Sequence, residues 1–362
     1  MIQIGLDNII FSLQKAGGAS VVWQQHLERL SRDKEFQCRF LEYDNAELNF
    51  FRQQLQLNEN LIDLKKFKFL FLKRYLNLKS KNVNKQLFHS SYYRIKNGSN
   101  IINVTTVHDF TYEHFDKGMT KYVHSWQKNA AINNSDGIIC VSENTKKDLL
   151  RFLPHISENK IRVIYNGVDD SFKLLQSDYV FQKKHNFEDY SYVLYVGDRR
   201  AIYKNFDMAV DTCALAKTNL LIIGGGALTD KELYNLRSKL GIGNFKSFVG
   251  VSVEELNYYY NKAYCLLYPS LYEGFGIPVV EAQRTGCPVI ATNSSSIPEV
   301  IGNKYMAIEN PNSNKIAKIL KELSLNSSLR NETIKLGLEK SNAFNWQNTY
   351  VQTTEFYKEL YK

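Results

Sequence analysis

The chain has 362 residues, a length for two domains of ordinary size, and is 44% hydrophobic and 13% aromatic, enough to build cores. Its formal charge of +9 leaves three classes of partner: nucleic acid, an anionic membrane surface, or phosphorylated ligands. No zinc-finger, RRM or helix-turn-helix spacing is present, which sets nucleic acid aside.

The five cysteines are scattered, without a C-x-x-C pair. That points to a reducing compartment and buried thiols, and away from a zinc site. No apolar run has transmembrane length, and MIQIGLDNII lacks the shape of a signal peptide.

In chain order, residues 2–6 alternate as a first strand. Gly17 and Gly18 open a segment with helical spacing of Val21, Val22, Leu27 and Leu30. A glycine pair at a helix start lets backbone N–H groups approach a phosphate; a flexible turn is the plainer reading. Residues 38–43 form a second strand. Between 65 and 81 stand Lys65, Lys66, Lys68, Lys73, Arg74, Lys79 and Lys81, with no acid and with aromatic residues interleaved. Two readings stand: a segment lying on an anionic membrane, or a helix with a solvated basic face. Residues 102–110 run as a strand into His108 and Asp109, at the end where open α/β sheets carry their active residues. The histidine serves there as a base, a hydrogen-bond donor or a structural residue.

Residues 136–149 read as a buried strand and a helix capped by Ser142. Another short strand ends at Asn166-Gly167. After a linker with a short helix (177–190), residues 192–196 form a strand whose following loop holds Arg199, Arg200 and Lys204. Cations so grouped stabilise a departing diphosphate. Residues 219–226 (NLLIIGGG) run into glycines, but Ala227, Leu228 and Thr229 follow, so the dinucleotide fingerprint is absent. Ser252 and Glu255 form a capping box before the helical residues 253–263.

The stretch 268–300 is the most informative. Tyr268 ends a strand-like run, and Glu273, Gly274, Phe275 and Gly276 make a loop. Pro278 suits the first turn of a helix, Gly286 closes it, and residues 288–291 form the next strand. The N–H groups near Ile277 then point at a phosphate seat. Glu273 in the loop and Glu281 on the helix face one pocket from different depths, where carboxylates accept hydrogen bonds from sugar hydroxyls. An ordinary strand–helix connection, with Glu281 complementing the helix dipole, explains the spacing equally well.

EGFGIPVVEA, flanked by Pro269-Ser270, by residues 286–289 (GCPV) and by residues 296–300 (SIPEV), resembles the signature of retaining glycosyltransferases of the GT-B fold, family 4. TVHDF at 106–110 and the loop from Gly197 to Asn205 are similar to family motifs as well. The resemblance implies an α/β protein of two Rossmann-like domains facing across a cleft. The acceptor-side domain spans 1–172 and the nucleotide-sugar domain 173–343. A C-terminal helix, 344–362, crosses back to the first domain, and Phe344 and Trp346 match the family's final F-x-W.

By the same resemblance, Glu273, His108, Lys204 and either Arg199 or Arg200 carry catalysis. Gly17, Gly18, Arg199, Arg200, Lys204, Ser252, Glu273, Gly274, Phe275, Gly276, Ile277 and Glu281 bind the donor, and His89, His108 and Asp109 lie on the acceptor side. The implied reaction moves a hexose, with a lean to mannose from GDP-mannose, onto a glycan or lipid-linked glycan hydroxyl in surface-polysaccharide synthesis. It uses no cofactor and no metal. The expected location is cytoplasmic, with residues 65–81 offering attachment to the inner membrane face. The alternatives are a nucleotide-sugar epimerase of the same fold and a non-catalytic partner subunit.

Overall fold

The computed structural model describes residues 1–66, 74–80, 84–176, 179, 181–182 and 184–362, with Thr120 in backbone only. The chain divides into two units, Met1–Gly167 with Trp346–Lys362, and Val168–Asn345.

The first unit carries β1 (Ile2–Asp7), β2 (Phe36–Tyr43), β3 (Ile62–Lys65), β4 (Leu78–Lys79), β5 (Gln86–Ser90), β6 (Lys96–Asn97), β7 (Ile101–Val107), β8 (Gly137–Cys140) and β9 (Ile161–Val163). Its main sheet has the order β3-β2-β1-β5-β7-β8-β9, and every neighbouring pair is parallel. Parallel strands are covered on both faces and so read as apolar runs; β5 and β8 are buried at every position. Ile4 of β1 sits between Cys38 and Leu87 in register. Strands β4 and β6 pair separately.

The helix Trp346–Tyr361 belongs to this unit. Its Tyr350, Phe356 and Tyr357 join a core with Trp23, Leu27, Phe36, Cys38 and Phe40. Gly137 makes room for it: a Cβ there would stand 2.4 Å from Leu360 Cδ1 and 2.9 Å from Phe356 Cζ.

The second unit carries β10 (Tyr192–Val196), β11 (Asn219–Ile223), β12 (Phe245–Phe248), β13 (Cys265–Tyr268), β14 (Val289–Thr292) and β15 (Ala307–Ile308). Their order is β12-β11-β10-β13-β14-β15, again all parallel. The strand order therefore reverses between β10 and β13. In such sheets ligands sit outside the carboxyl ends of the strands at that reversal. In the first unit the reversal lies between β1 and β5.

Four expectations need adjusting. The first unit ends at Gly167 rather than Phe172, because Val168 bridges to Asn345 and the backbone N–H groups of Lys173 and Leu175 donate to Asn257 and Asn261. Phe344 stays with the second unit, edge-on to Phe275 at 5.4 Å, so only Trp346 of the F-x-W pair packs in the first. Of the basic stretch 65–81, residues 67–73 and 81 lie outside the described residues. Its described parts include strand: Lys65 ends β3 and pairs with Asp63 at 2.7 Å, and Lys79 lies in β4. The described part of 177–190 holds no helix. All five cysteines are buried and unpaired.

Candidate active site

The last residue of β13, Tyr268, and the loops that follow β10 and β13 bring Lys204, Tyr268 and Glu273 together. Lys204 ends a 3-10 turn, Ile202–Lys204, and Asn205 takes a left-handed conformation (φ 53°) that starts the helix Phe206–Ala216. Asparagine tolerates that region better than most residues. Lys204 Nζ donates to Glu273 Oε1 at 2.7 Å and to Tyr268 Oη at 3.1 Å. The pair is nearly sheathed: the lysine and glutamate side chains are 14% and 11% exposed. Burial, then the charge of Glu273 and a hydrogen bond to it, push the Tyr268 hydroxyl far above its ordinary range. It therefore remains a neutral donor that ties the cation and the carboxylate into one cluster.

The Glu273 loop is fastened by the turn after β14. Ser295, at φ 47°, accepts from Glu273 N at 2.8 Å. Ser296, fully buried, donates to the carbonyls of Glu273 (3.0 Å) and Phe275 (2.9 Å). Ser294 donates to the Ser270 carbonyl at 3.1 Å. The side chain of Phe275 is buried, so this residue offers a ligand only backbone. Gly276 stands at φ 98° before the helix Ile277–Arg284, and a Cβ there would press Ile297 Cδ1 at 3.0 Å. Pro278 lies in the first turn, and Gly286 (φ 71°) follows the helix end.

Glu281 has a different partner from Glu273. Tyr260, fully buried on the helix Val253–Lys262, donates to Glu281 Oε2 at 3.0 Å. Desolvation raises the Glu281 carboxyl from 4.5 to about 7; Asp169 adds to the rise and the Tyr260 hydrogen bond opposes it. Ser252 caps the same helix, accepting from Glu255 N at 3.1 Å.

The structure separates the two arginines. Arg199 Nε donates to Glu232 Oε1 (2.7 Å) and Nη1 to the carbonyls of Gly224 (2.7 Å) and Gly226 (2.9 Å). Its Nη2 donates to Ala227 O (2.8 Å) and Glu232 Oε2 (3.4 Å). A guanidinium has five N–H donors, so all are engaged. The side chain is 0% exposed. Arg199 is thus a strut for the glycine turn, and all of its donors are spent within the chain. Gly225 (φ 74°) is needed because a Cβ would lie 2.6 Å from Arg199 Nη1. Glu232 also closes a capping box with Thr229, which the sequence reading missed. Burial pushes this carboxyl up, but the Thr229 N–H and Arg199 outweigh it and hold it at about 2. Arg200, by contrast, is 52% exposed and donates through Nη2 to Ala227 O.

In the first unit, His108 follows the carboxyl end of β7. Burial lowers its pKa against the opposing pull of Asp109, so the imidazole is neutral at pH 7. Asp109 accepts from Thr111 N at 2.9 Å through its side chain and from Lys128 Nζ at 3.0 Å through its carbonyl. Lys128 is fully buried, paired with Glu113 at 2.6 Å and stacked 4.1 Å over Phe110. Gly17 and Gly18 open the helix Gly18–Leu30. A Cβ on Gly18 would meet nothing within 4 Å, so packing inside the chain does not require this glycine.

His89, expected on the acceptor side, is buried. It is 2% exposed, with Nδ1 2.5 Å from Tyr357 Oη and Nε2 2.9 Å from Thr106 Oγ1; the same tyrosine hydroxyl lies 2.9 Å from His26 Nε2. The histidine is internal because the C-terminal helix lays Tyr357 across it. Sequence reasoning also missed Asp7 and Arg94. They form a buried bidentate pair (2.7 and 2.8 Å) at the end of β1, with Ser90 and Tyr43 filling the remaining positions. An aspartate closing an apolar first strand was the available signal.

Residues 177–340 match the sequence model described as glycosyl transferases group 1, and residues 16–172 the model described as glycosyltransferase family 4. An uncharacterised glycosyltransferase of Methanocaldococcus jannaschii, MJ1178, is 28% identical over 92% of this chain and 93% of its own. The O-antigen chain mannosyltransferase B of Escherichia coli is 25% identical over 71% of this chain and 70% of its own. Among solved structures, a sucrose-phosphate synthase from Thermosynechococcus elongatus superposes with a TM-score of 0.75 at 18% identity, covering 100% and 99% of the two chains. With the doubly wound sheet of each unit and these matches across both, the chain belongs to the family 4 glycosyltransferases of the GT-B fold.

Proposed function

We propose that this transferase moves a hexose, mannose from GDP-mannose, onto a hydroxyl of a glycan or lipid-linked glycan, with retention at the anomeric carbon, in surface-polysaccharide synthesis. The observation that carries the reading is the Lys204–Tyr268–Glu273 cluster at the strand-order reversal of the second unit. The mannosyltransferase relative supports the sugar.

Lys204 and Glu273 hold each other in the donor-free protein. A diphosphate competes for Lys204, and the freed carboxylate of Glu273 then accepts from sugar hydroxyls. Arg200, with donors to spare, is the second cation, and the N–H groups at Gly276 and Ile277 face the phosphate at a helix start. Glu281 accepts from the ribose hydroxyls. Gly17, Gly18 and neutral His108 of the first unit keep the donor roles the resemblance implies. In the step itself the acceptor oxygen bonds to the anomeric carbon on the face the diphosphate leaves. The carbon–phosphate oxygen bond breaks, and the acceptor proton passes to the leaving phosphate. Protein cations supply the positive charge, so the reading needs no metal.

The test is thermal stability with GDP, UDP, dTDP and ADP in EDTA. A nucleotide at 100 times its Kd adds about 2.7 kcal/mol, a shift of several degrees. A shift with GDP alone supports the donor; a shift with another nucleotide alone replaces it. Product anomeric configuration by NMR decides retention. Turnover of donor without acceptor favours the epimerase instead.

A further inference from the structure

Among the described residues, six tyrosines are exposed by 1% or less: Tyr192, Tyr195, Tyr259, Tyr260, Tyr268 and Tyr357. Five have an engaged hydroxyl. Tyr192 donates to the Tyr259 carbonyl at 2.9 Å, Tyr259 to Glu255 at 2.7 Å and Tyr260 to Glu281 at 3.0 Å. Tyr268 accepts from Lys204, and Tyr357 meets His89 and His26. The Tyr195 hydroxyl is sealed from water and has no hydrogen-bond partner among the described residues. Its ring has a structural use, packed on Phe206 with centroids 4.9 Å apart. Its oxygen has none in the donor-free chain. A buried hydroxyl left this way lowers stability, and phenylalanine would fill the same space without that penalty.

The position of this hydroxyl supplies a reason for it. Tyr195 lies on β10, at the strand-order reversal of the second unit. Two residues on, Gly197 leaves a methyl-sized space. A Cβ there would stand 3.6 Å from Lys204 Cδ, 3.8 Å from Lys204 Cε and 3.9 Å from Tyr195 Oη. The lysine stem and the orphan hydroxyl therefore border one gap. Lys204 Nζ reaches past that gap to Glu273 and Tyr268. Glu273 is also the charge that acts most strongly on Tyr195, and with burial it pushes the phenol well above its ordinary range. A neutral donor without an acceptor thus stands near a carboxylate that Lys204 occupies.

A diphosphate that draws Lys204 away leaves Glu273 in a nearly dry site with one donor fewer. Removing one partner of a buried ion pair is costly unless another donor replaces it. A phenol can do so without adding a charge that competes for the diphosphate. Its missing hydrogen bond also destabilises the closed cluster relative to the open one. We propose that Tyr195 is a positioning residue for the transfer: its hydroxyl waits unpaired in the donor-free protein and donates to the Glu273 carboxylate once a diphosphate takes Lys204, which keeps that carboxylate aimed at the sugar. This rests on the reading of Lys204 as the cation of the diphosphate.

Urea denaturation of a double-mutant cycle, with Tyr195→Phe and Lys204→Met alone and combined, tests the pairing without a ligand. Methionine keeps most of the lysine's apolar stem. Tyr195→Phe alone leaves the urea midpoint at or above wild type, since the hydroxyl it removes has no partner. In the Lys204→Met background the hydroxyl is in use, and the same change lowers the midpoint. A drop in the wild-type background, or none in the Lys204→Met background, overturns the proposal. Calorimetry of Tyr195→Phe with GDP and GMP, or with whichever diphosphate raises the melting temperature and its monophosphate, gives a second reading. Diphosphate affinity falls about tenfold, the worth of one hydrogen bond to a charged group, and monophosphate affinity is unchanged, because the terminal phosphate is the one that takes Lys204. Equal losses for both nucleotides, or no loss for the diphosphate, would also defeat the idea. If wild type binds none of GDP, UDP, dTDP and ADP, the proposed function fails instead, and the cycle still decides whether Tyr195 pairs with Glu273.

Discussion

Tyr268 is the residue whose role depends most on distance. Its hydroxyl touches Lys204 at 3.1 Å inside a nearly dry cluster. A hydrogen bond to a charged group there contributes about 1.5–3 kcal/mol, so Tyr268→Phe lowers kcat by roughly 10–100-fold. Steady-state kinetics beside an unchanged nucleotide-induced thermal shift checks this; full activity removes Tyr268 from the site. Glu281 titrates at about 7 instead of 4.5; in the role proposed for it, the ionised carboxylate accepts ribose hydroxyls more strongly than the protonated one. Nucleotide affinity therefore falls as pH drops from 8 to 6, and Glu281→Gln binds weakly with no such slope, by calorimetry at each pH. The sign for folding is opposite: from 4.5 to 7 the folded state keeps a proton the unfolded chain has lost, so this residue costs stability as pH rises. Both glutamates were legible by resemblance. Their separate partners, Lys204 and Tyr260, come from other strands and helices and carry no local signal.

At the scale of elements, the loop after β10 and the glycine turn after β11 are one structure, joined by Arg199. Arg199→Lys cannot reproduce the fork that holds three carbonyls and Glu232. Breaking a buried pair of this kind costs about 3–5 kcal/mol. The expected outcome is a clear loss in urea stability, whereas Arg200→Ala leaves stability near wild type and weakens nucleotide binding. Equal effects of the two changes would remove the distinction. Sequence spacing placed both arginines in the loop and left them equivalent. Only the approach of Gly224, Gly225 and Gly226, from a strand paired in register with β10, shows which one is consumed.

At the scale of the molecule, the last helix completes the first unit. It brings Tyr350, Phe356 and Tyr357 into that core and joins His26 and His89 through the Tyr357 hydroxyl. A chain ending at Asn345 therefore loses the first unit's cooperative melting transition in calorimetry; two retained transitions would contradict this. His26 is held near 4 by burial, with Arg29 adding, against 6.5 in the unfolded chain. Between those values the unfolded chain takes up a proton the folded one refuses. Stability accordingly falls as pH drops from 6.5 toward 4, by about 3 kcal/mol for this residue, and the urea midpoint follows it. Replacing His26 with Gln flattens that slope.

The sequence by itself determined the alternation of strand and helix, the two-unit count, the helix start at Pro278 and the glutamate-bearing loop, because these rest on periodicity, turn chemistry and short motifs read along the chain. Tertiary structure decided what those residues are free to do. His89 was read as an acceptor-side residue and is buried in the core, since a helix more than 250 positions later covers it. Arg199 and Arg200 were read as alternative phosphate ligands, and Arg199 is built into the glycine turn as a strut. On the helix Met119–Asn133, Met119, Tyr122 and Trp126 look in sequence like a core-facing side; only the fold shows that they face water. Each difference has one cause: burial and hydrogen-bond commitment are set by partners distant in sequence, and no local pattern records them.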